Sequence, residues 1–179
     1  MFNILKTRIK EGIKVKKINI KDIKKDNIVI FNEELRNKLL NKSENRHFIN
    51  NISIRFVDSG SCNACLHELS ALTNPYYDME RFGFKFVAAP KHADVLMVAG
   101  CVTRNMYSAL MKTYENIPDP KFVVAIGDCA MDGGEFKDSY ATLGGIKDKL
   151  RVDILIKGCP PEPVDILSGL LLAFGQSVK

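Results

Sequence analysis

From Asn51 onward the chain alternates short apolar stretches with amphipathic ones, a texture that predicts strands and helices in turn. Ile52–Asp58 (ISIRFVD) is rich in β-branched and aromatic residues and stops at the turn formers Ser59, Gly60 and Ser61. Cys65 to Leu72 then reads as a helix, with Leu66, Leu69 and Leu72 at helical spacing. Phe84–Ala88 predicts a second strand. Asp94–Gly100 (DVLMVAG) is almost continuously apolar, the pattern of a strand covered on both faces. Thr103 is placed to cap the next helix, in which Met106, Leu110 and Met111 face inward. Pro118 and Pro120 close that helix. Lys121–Gly127 (KFVVAIG) and Val152–Gly158 (VDILIKG) are two further strands, and a last helix runs from about Pro163 to Phe174 with proline in its first turn.

Strands separated by helices predict an α/β fold, a parallel sheet with helices on both faces. A doubly wound, flavodoxin-like and mostly parallel sheet is the expected form; strand order is not written in the pattern. Residues 51–179 make up this expected domain. Residues 1–50 differ in texture. There KVKKINIKDIKKDNIVIF mixes short β-branched runs with lysines, and a short helix is expected at Glu33–Lys42. Neither piece buries much surface alone, so the segment is expected to be an extension that lies on the domain or on a partner subunit.

Charge sharpens that division. The chain of 179 residues has a formal net charge of +5. Residues 1–50 hold 13 Lys and Arg against 6 Asp and Glu, whereas residues 51–179 hold 13 against 15. The front is therefore basic and the domain slightly acidic. With little aromatic interleaving, the basic front reads as a solvated face, not a nucleic-acid site. No apolar run approaches the roughly 20 residues of a spanning helix. The opening MFNILKTRIK lacks the apolar core of a secretory signal. These features predict a protein kept in the cytoplasm, with any membrane contact made through partner subunits.

Five cysteines in a reducing compartment argue against a disulfide framework and for metal binding, redox chemistry or buried thiols. Their positions are informative. Ligands in open α/β sheets bind beyond the carboxyl ends of the strands. Cys62 and Cys65 follow the first predicted strand, Cys101 follows VAG, Cys129 follows AIGD and Cys159 follows LIKG. Nearby glycines let the backbone approach closely, and Pro160 and Pro161 stiffen the loop after Cys159. Backbone N–H groups near thiolate and sulfide would stabilise an anionic metal–sulfur centre. Two other chemistries share parts of the pattern. SCNACLHE is also the layout of a thioredoxin-like motif, which leaves Cys129 and Cys159 without a role. A structural Zn(Cys)4 site normally shows two close pairs, and only one is close here. A buried, inert thiol is the ordinary role of a single cysteine, and it is the reading preferred for Cys101. Spacing alone still leaves five cysteines for four places.

The stretches SGSCNACLHEL, HADVLMVAGCVTRNM, IPDPKFVVAIGDCAMDGG and VDILIKGCPPEP, in this order, resemble the small-subunit family shared by [NiFe] hydrogenases and complex I. The resemblance covers roughly Ile54 to Phe174. It implies a flavodoxin-like domain holding one [4Fe–4S] cluster on Cys62, Cys65, Cys129 and Cys159, with Cys101 outside the ligand set. The complex I branch has adjacent cysteines in its first motif. Here Asn63 and Ala64 separate them, which is similar to the hydrogenase side. With cysteines for a single cluster, the chain resembles the small subunit of membrane-bound, energy-converting hydrogenases of the Ech and formate hydrogenlyase types. The resemblance implies an oxidoreductase subunit that relays electrons between a ferredoxin-like iron–sulfur subunit and a Ni–Fe centre in a large subunit. Membrane subunits would hold the complex on the cytoplasmic side of the cell membrane. The alternative it implies is the equivalent subunit of a complex I-like enzyme that reduces a quinone or phenazine.

Other polar residues have two readings each. Glu68, three residues after Cys65, is either a proton-moving or cluster-coupled group or a carboxylate serving the helix dipole. His67 and His92 are either groups that titrate near neutral pH or, the preferred reading, surface or satisfied histidines. Arg104 meets a large subunit or pairs with a surface acid. Asp128 adds negative charge beside Cys129 or points to solvent.

Overall fold

The structure, a computed structural model, describes residues 27–31 and 51–174. Among these, a six-stranded sheet runs in the order β1-β6-β5-β4-β2-β3. The strands are β1 (Ile28–Ile30), β2 (Ile52–Asp58), β3 (Phe84–Phe86), β4 (Val95–Ala99), β5 (Phe122–Ile126) and β6 (Ile154–Ile156). All pairings from β2 to β6 are parallel. Only β1 runs against its neighbour, with Ile28 opposite Ile156 and Ile30 opposite Ile154. The expected flavodoxin-like, mostly parallel sheet is therefore present. Residues 27–31, within the basic front segment, supply its antiparallel edge; the helix expected at Glu33–Lys42 lies outside the described residues.

Among the described residues, four α-helices accompany the sheet: α1 (Ala64–Ala71), α2 (Arg104–Asn116), α3 (Asp128–Asp132) and α4 (Pro163–Phe174). They divide between two faces because side chains alternate along each strand. In β4, Val95, Met97 and Ala99 join one buried cluster, with Leu69 and Leu72 at α1 and Ile166, Leu167 and Leu170 of α4. Leu96 and Val98 join the other, with Leu110 of α2, Ala130 of α3 and Ile146. Both faces of β4 and β5 are closed, which is why both strands read as unbroken apolar runs. The α4 helix lies close to β6 at Gly169, where a methyl group would stand 2.9 Å from Ile156 Cδ1.

Strand ends are set by polar groups. Asp94 accepts from the Ser53 N–H at 2.9 Å, and the buried Asp153 accepts from the Val123 N–H at 2.9 Å. Thr103 caps α2 by accepting from the Met106 N–H at 3.4 Å, as its position predicts. Several predicted strands are shorter than their apolar runs. The β3 ladder ends at Phe86, and β6 covers only Ile154–Ile156 of the stretch Val152–Gly158.

The topology also places a crevice. The chain leaves β3 at the sheet edge and crosses β2 to form β4, so the winding reverses between β2 and β4. In doubly wound sheets, ligands bind beyond the strand ends at such a switch point.

Leu110 is the one fully buried residue of α2. Leu110→Ala is expected to destabilise the fold by about 2–5 kcal/mol, the usual cost of a core leucine truncation. A chemical denaturation midpoint shift at unchanged m-value checks this.

Candidate functional site

Beyond the strand ends lies a small hollow lined by Gly60, Ser61, Cys62 and Cys65 after β2, Gly100 after β4, Gly127, Asp128 and Cys129 after β5, and Gly158, Cys159 and Pro160 after β6. Phe136 closes one wall. Cys62, Cys65, Cys129 and Cys159, separated by up to 97 positions in the chain, thus share one cavity. Cys101 does not line it. Its buried thiol turns to the Gly60 carbonyl and donates to it at 3.2 Å.

The four thiols are unequally exposed. Cys62 and Cys159 face solvent, Cys129 is half-buried and Cys65 lies at the floor, with Sγ 4.0 Å from the Ile126 carbonyl. Burial, together with the neighbouring Cys62, Cys129 and Cys159, pushes the Cys65 thiol up to about 11. Burial and then the Cys159 thiol raise Cys129. Burial also raises Cys101, with smaller contributions from Asp58 and Cys62. Cys65 and Cys129 therefore feel the other thiols of the cavity.

Local backbone shapes this rim for sulfur. Gly127, which follows β5 at φ 79°, passes so close to the floor that a methyl group would stand 3.0 Å from Cys65 Sγ. At Gly134 (φ 49°) a methyl group would stand 2.8 Å from Cys129 Sγ. Side chains at both places would crowd the sulfurs. The loops bearing Cys129 and Cys159 are also tied together. The Asp128 N–H donates to the Gly158 carbonyl at 3.1 Å, and the Gly158 N–H donates to Asp128 Oδ1 at 3.3 Å. Asp128, read from sequence as a charge near Cys129 or a solvent-facing group, is exposed and also serves as this bridge.

Chemically the rim is a set of four soft sulfur donors with glycine backbone close around them, which fits an iron–sulfur centre. Among the described residues no three His, Cys, Asp or Glu side chains converge as ligands of a single metal ion would. The thiols border a hollow instead of meeting at a point.

Glu68 does not line the hollow. It sits half-buried in α1, whose first turn holds no acidic residue, so the helix-dipole role does not apply to it. His67 and His92 are exposed, as expected. Arg104 Nε donates to the Tyr140 carbonyl at 2.7 Å. Sequence reasoning passed over Asp58. Its carboxylate accepts from the N–H groups of Gly60 and Ser61 and from the Ser61 hydroxyl. The run Asp58-Ser-Gly-Ser61 carries the turn signature that would have marked it.

Comparison with known proteins shows the family. Residues 62–173 match the family described as "NADH ubiquinone oxidoreductase, 20 Kd subunit". The chain belongs to this family. It is 44% identical over 119 residues to formate hydrogenlyase subunit 7 of Escherichia coli, covering 66% of this chain and 47% of the relative. With the "probable membrane-bound hydrogenase subunit mbhJ" of Pyrococcus furiosus it shares 45% identity over 123 residues, 69% of this chain and 74% of the relative. The chain thus spans about half of the first relative and about three quarters of the second. Its fold is similar to a chain of an archaeal membrane-bound sulfane sulfur reductase, with TM-score 0.64 and 28% identity over 78% of this chain and 74% of that one. The family's members are subunits of oxidoreductase complexes. Among the described residues no helix is long and apolar enough to cross a membrane.

The exposures and shifts order the thiols by reactivity. A raised pKa lowers the thiolate fraction, and the thiolate is the nucleophile. In metal-free protein at pH 8, Cys62 and Cys159 should be alkylated first and Cys65 and Cys101 last. Raising the pH should narrow the gap as Cys65 approaches its value of about 11. Time-resolved mass spectrometry of the alkylated peptides measures the order.

Proposed function

We propose that this chain carries one [4Fe–4S] cluster on Cys62, Cys65, Cys129 and Cys159 and relays electrons as the small subunit of a membrane-associated, energy-converting [NiFe] hydrogenase. The observation that carries the proposal is the convergence of these four cysteines, from three separate strand ends, on one glycine-lined hollow. Family membership supports it from a second direction.

A bound [4Fe–4S] cluster supplies a one-electron carrier whose potential follows from its ligands, hydrogen bonds and burial. The residues of this chain provide the rest. Cys65 anchors the inner side of the site in the apolar floor, while Cys62 and Cys159 hold the solvent-facing side, where a partner subunit comes close enough for electron exchange. Gly127 and Gly134 leave room around the sulfurs, and the Asp128–Gly158 bridge keeps the third and fourth ligand loops in register. The Ni–Fe centre belongs to a large subunit, electrons reach it from a ferredoxin-like iron–sulfur subunit, and membrane subunits hold the assembly on the cytoplasmic side of the cell membrane. The basic front segment, residues 1–50, lies against the domain or one of these partners, and Glu68 is the candidate for proton coupling. Separation of Cys62 from Cys65 by Asn63 and Ala64, with the likeness to the two hydrogenase subunits, favours this branch.

The family description itself favours a second reading, the equivalent subunit of a complex I-like enzyme reducing a quinone or phenazine. Partner sequence separates the two: cysteine pairs near both termini of the large subunit mark a Ni–Fe site. Zinc is the competing metal. Because Cys129 and Cys159 are neighbours in space, the absence of a second close pair in sequence no longer counts against it.

Anaerobic reconstitution decides between these metals. Wild-type protein should take up about four iron and four sulfide per chain and give an EPR signal when reduced. Serine at Cys62, Cys65, Cys129 or Cys159 should abolish or alter that signal, and Cys101→Ser should retain it. About one zinc per chain without iron or sulfide would rule out the cluster.

A further inference from the structure

The turn that delivers Cys62 to the rim is held from one side by a single carboxylate. Asp58, the last residue of β2, accepts from the Gly60 N–H at 2.9 Å, from the Ser61 N–H at 2.7 Å and from the Ser61 hydroxyl at 2.9 Å. Ser61 Oγ in turn accepts from the Asn63 N–H at 3.2 Å, so the network reaches past Cys62.

The other side of the turn is fastened to β4 and its loop. The buried Ser59 hydroxyl bridges the carbonyls of Ala99 and Gly100, each at 2.9 Å. Thr103 donates to the Ser59 carbonyl from its N–H at 2.9 Å and from Oγ1 at 3.0 Å. The Cys101 thiol holds the Gly60 carbonyl. Ser59 and the Gly60 carbonyl are thus held by β4 and the segment after it, whereas the Gly60 and Ser61 N–H groups and the approach to Cys62 are held by Asp58.

Two physical effects follow. Two backbone N–H groups beside the first ligand are occupied by a carboxylate and are not available to sulfur. The same carboxylate also brings a negative charge within one residue of Cys62. Fewer N–H donors to sulfur and an added negative charge both disfavour the reduced, more negative state of an iron–sulfur centre.

We propose that Asp58 is a positioning residue of the cluster site: it preforms the Cys62 turn for ligation and holds the reduction potential of the bound centre down. This rests on the cluster reading above. A carboxylate that only staples the loop would leave the potential where it is.

Two variants of the full chain separate the roles. Asp58→Asn keeps an acceptor for the Gly60 and Ser61 N–H groups and removes the charge. It should load iron and sulfide to the wild-type level and titrate at a more positive midpoint in a mediated, EPR-monitored redox titration. Asp58→Ala removes the acceptor as well, and should incorporate iron and sulfide several-fold more slowly while the metal-free chain melts cooperatively. Should Asp58→Ala fail to fold, the potential of Asp58→Asn decides alone. Equal potentials in wild type and Asp58→Asn would overturn the inference and leave the cluster reading standing. Wild-type protein without iron and sulfide would overturn both.

Discussion

Parallel strands joined by crossovers deliver their chain to the same edge of the sheet each time, because every strand must be entered from the opposite end. That constraint organises this protein. The strands β2, β4, β5 and β6 all terminate on one rim, and every cysteine of the chain lies in the segments just beyond those four ends. Residues far apart in sequence become neighbours without any long-range recognition of their own. The register of the sheet is sufficient, and Asp94 and Asp153 pin neighbouring strands by accepting from the N–H groups of Ser53 and Val123.

The parts of this fold that were legible in sequence are those governed by local period and apolar burial. DVLMVAG and KFVVAIG could be little other than strands closed on both sides, and α4 emerged with the same limits in structure as in pattern. The α3 helix was missed because Asp128–Asp132 is too short to show a period. The part played by β1 was hidden for a different reason: its three residues sit in a lysine-rich stretch whose pairing with β6 depends on the far end of the chain.

The site shows the same division. Strand-end placement brought all five cysteines into view, but the exclusion of Cys101 from the rim depends on where a thiol points. A hydrogen bond to the Gly60 carbonyl determines that, and spacing cannot express it. Likewise Cys129 and Cys159 read as remote singles in sequence and are neighbours in space. Asp58 was within reach of turn chemistry, since an aspartate followed by Ser-Gly-Ser is a familiar way to close a loop on its own backbone.

The reciprocal hydrogen bonds between Asp128 and Gly158 hold the loops of Cys129 and Cys159 side by side, a pair of sulfurs assembled through space. The rim therefore carries two sulfur pairs, one encoded within four residues and the other within a folded contact 30 positions wide. The first pair is close in sequence whether or not the chain has folded. The second exists only after β5 and β6 have paired, and from then on each sulfur meets its companion at a high effective concentration. Any centre that takes all four sulfurs consequently reports a finished sheet. On the cluster reading proposed above, a chain holding metal only at Cys62 and Cys65 would be chemically distinct from a folded one, and a filled four-sulfur site would mark a completed sheet.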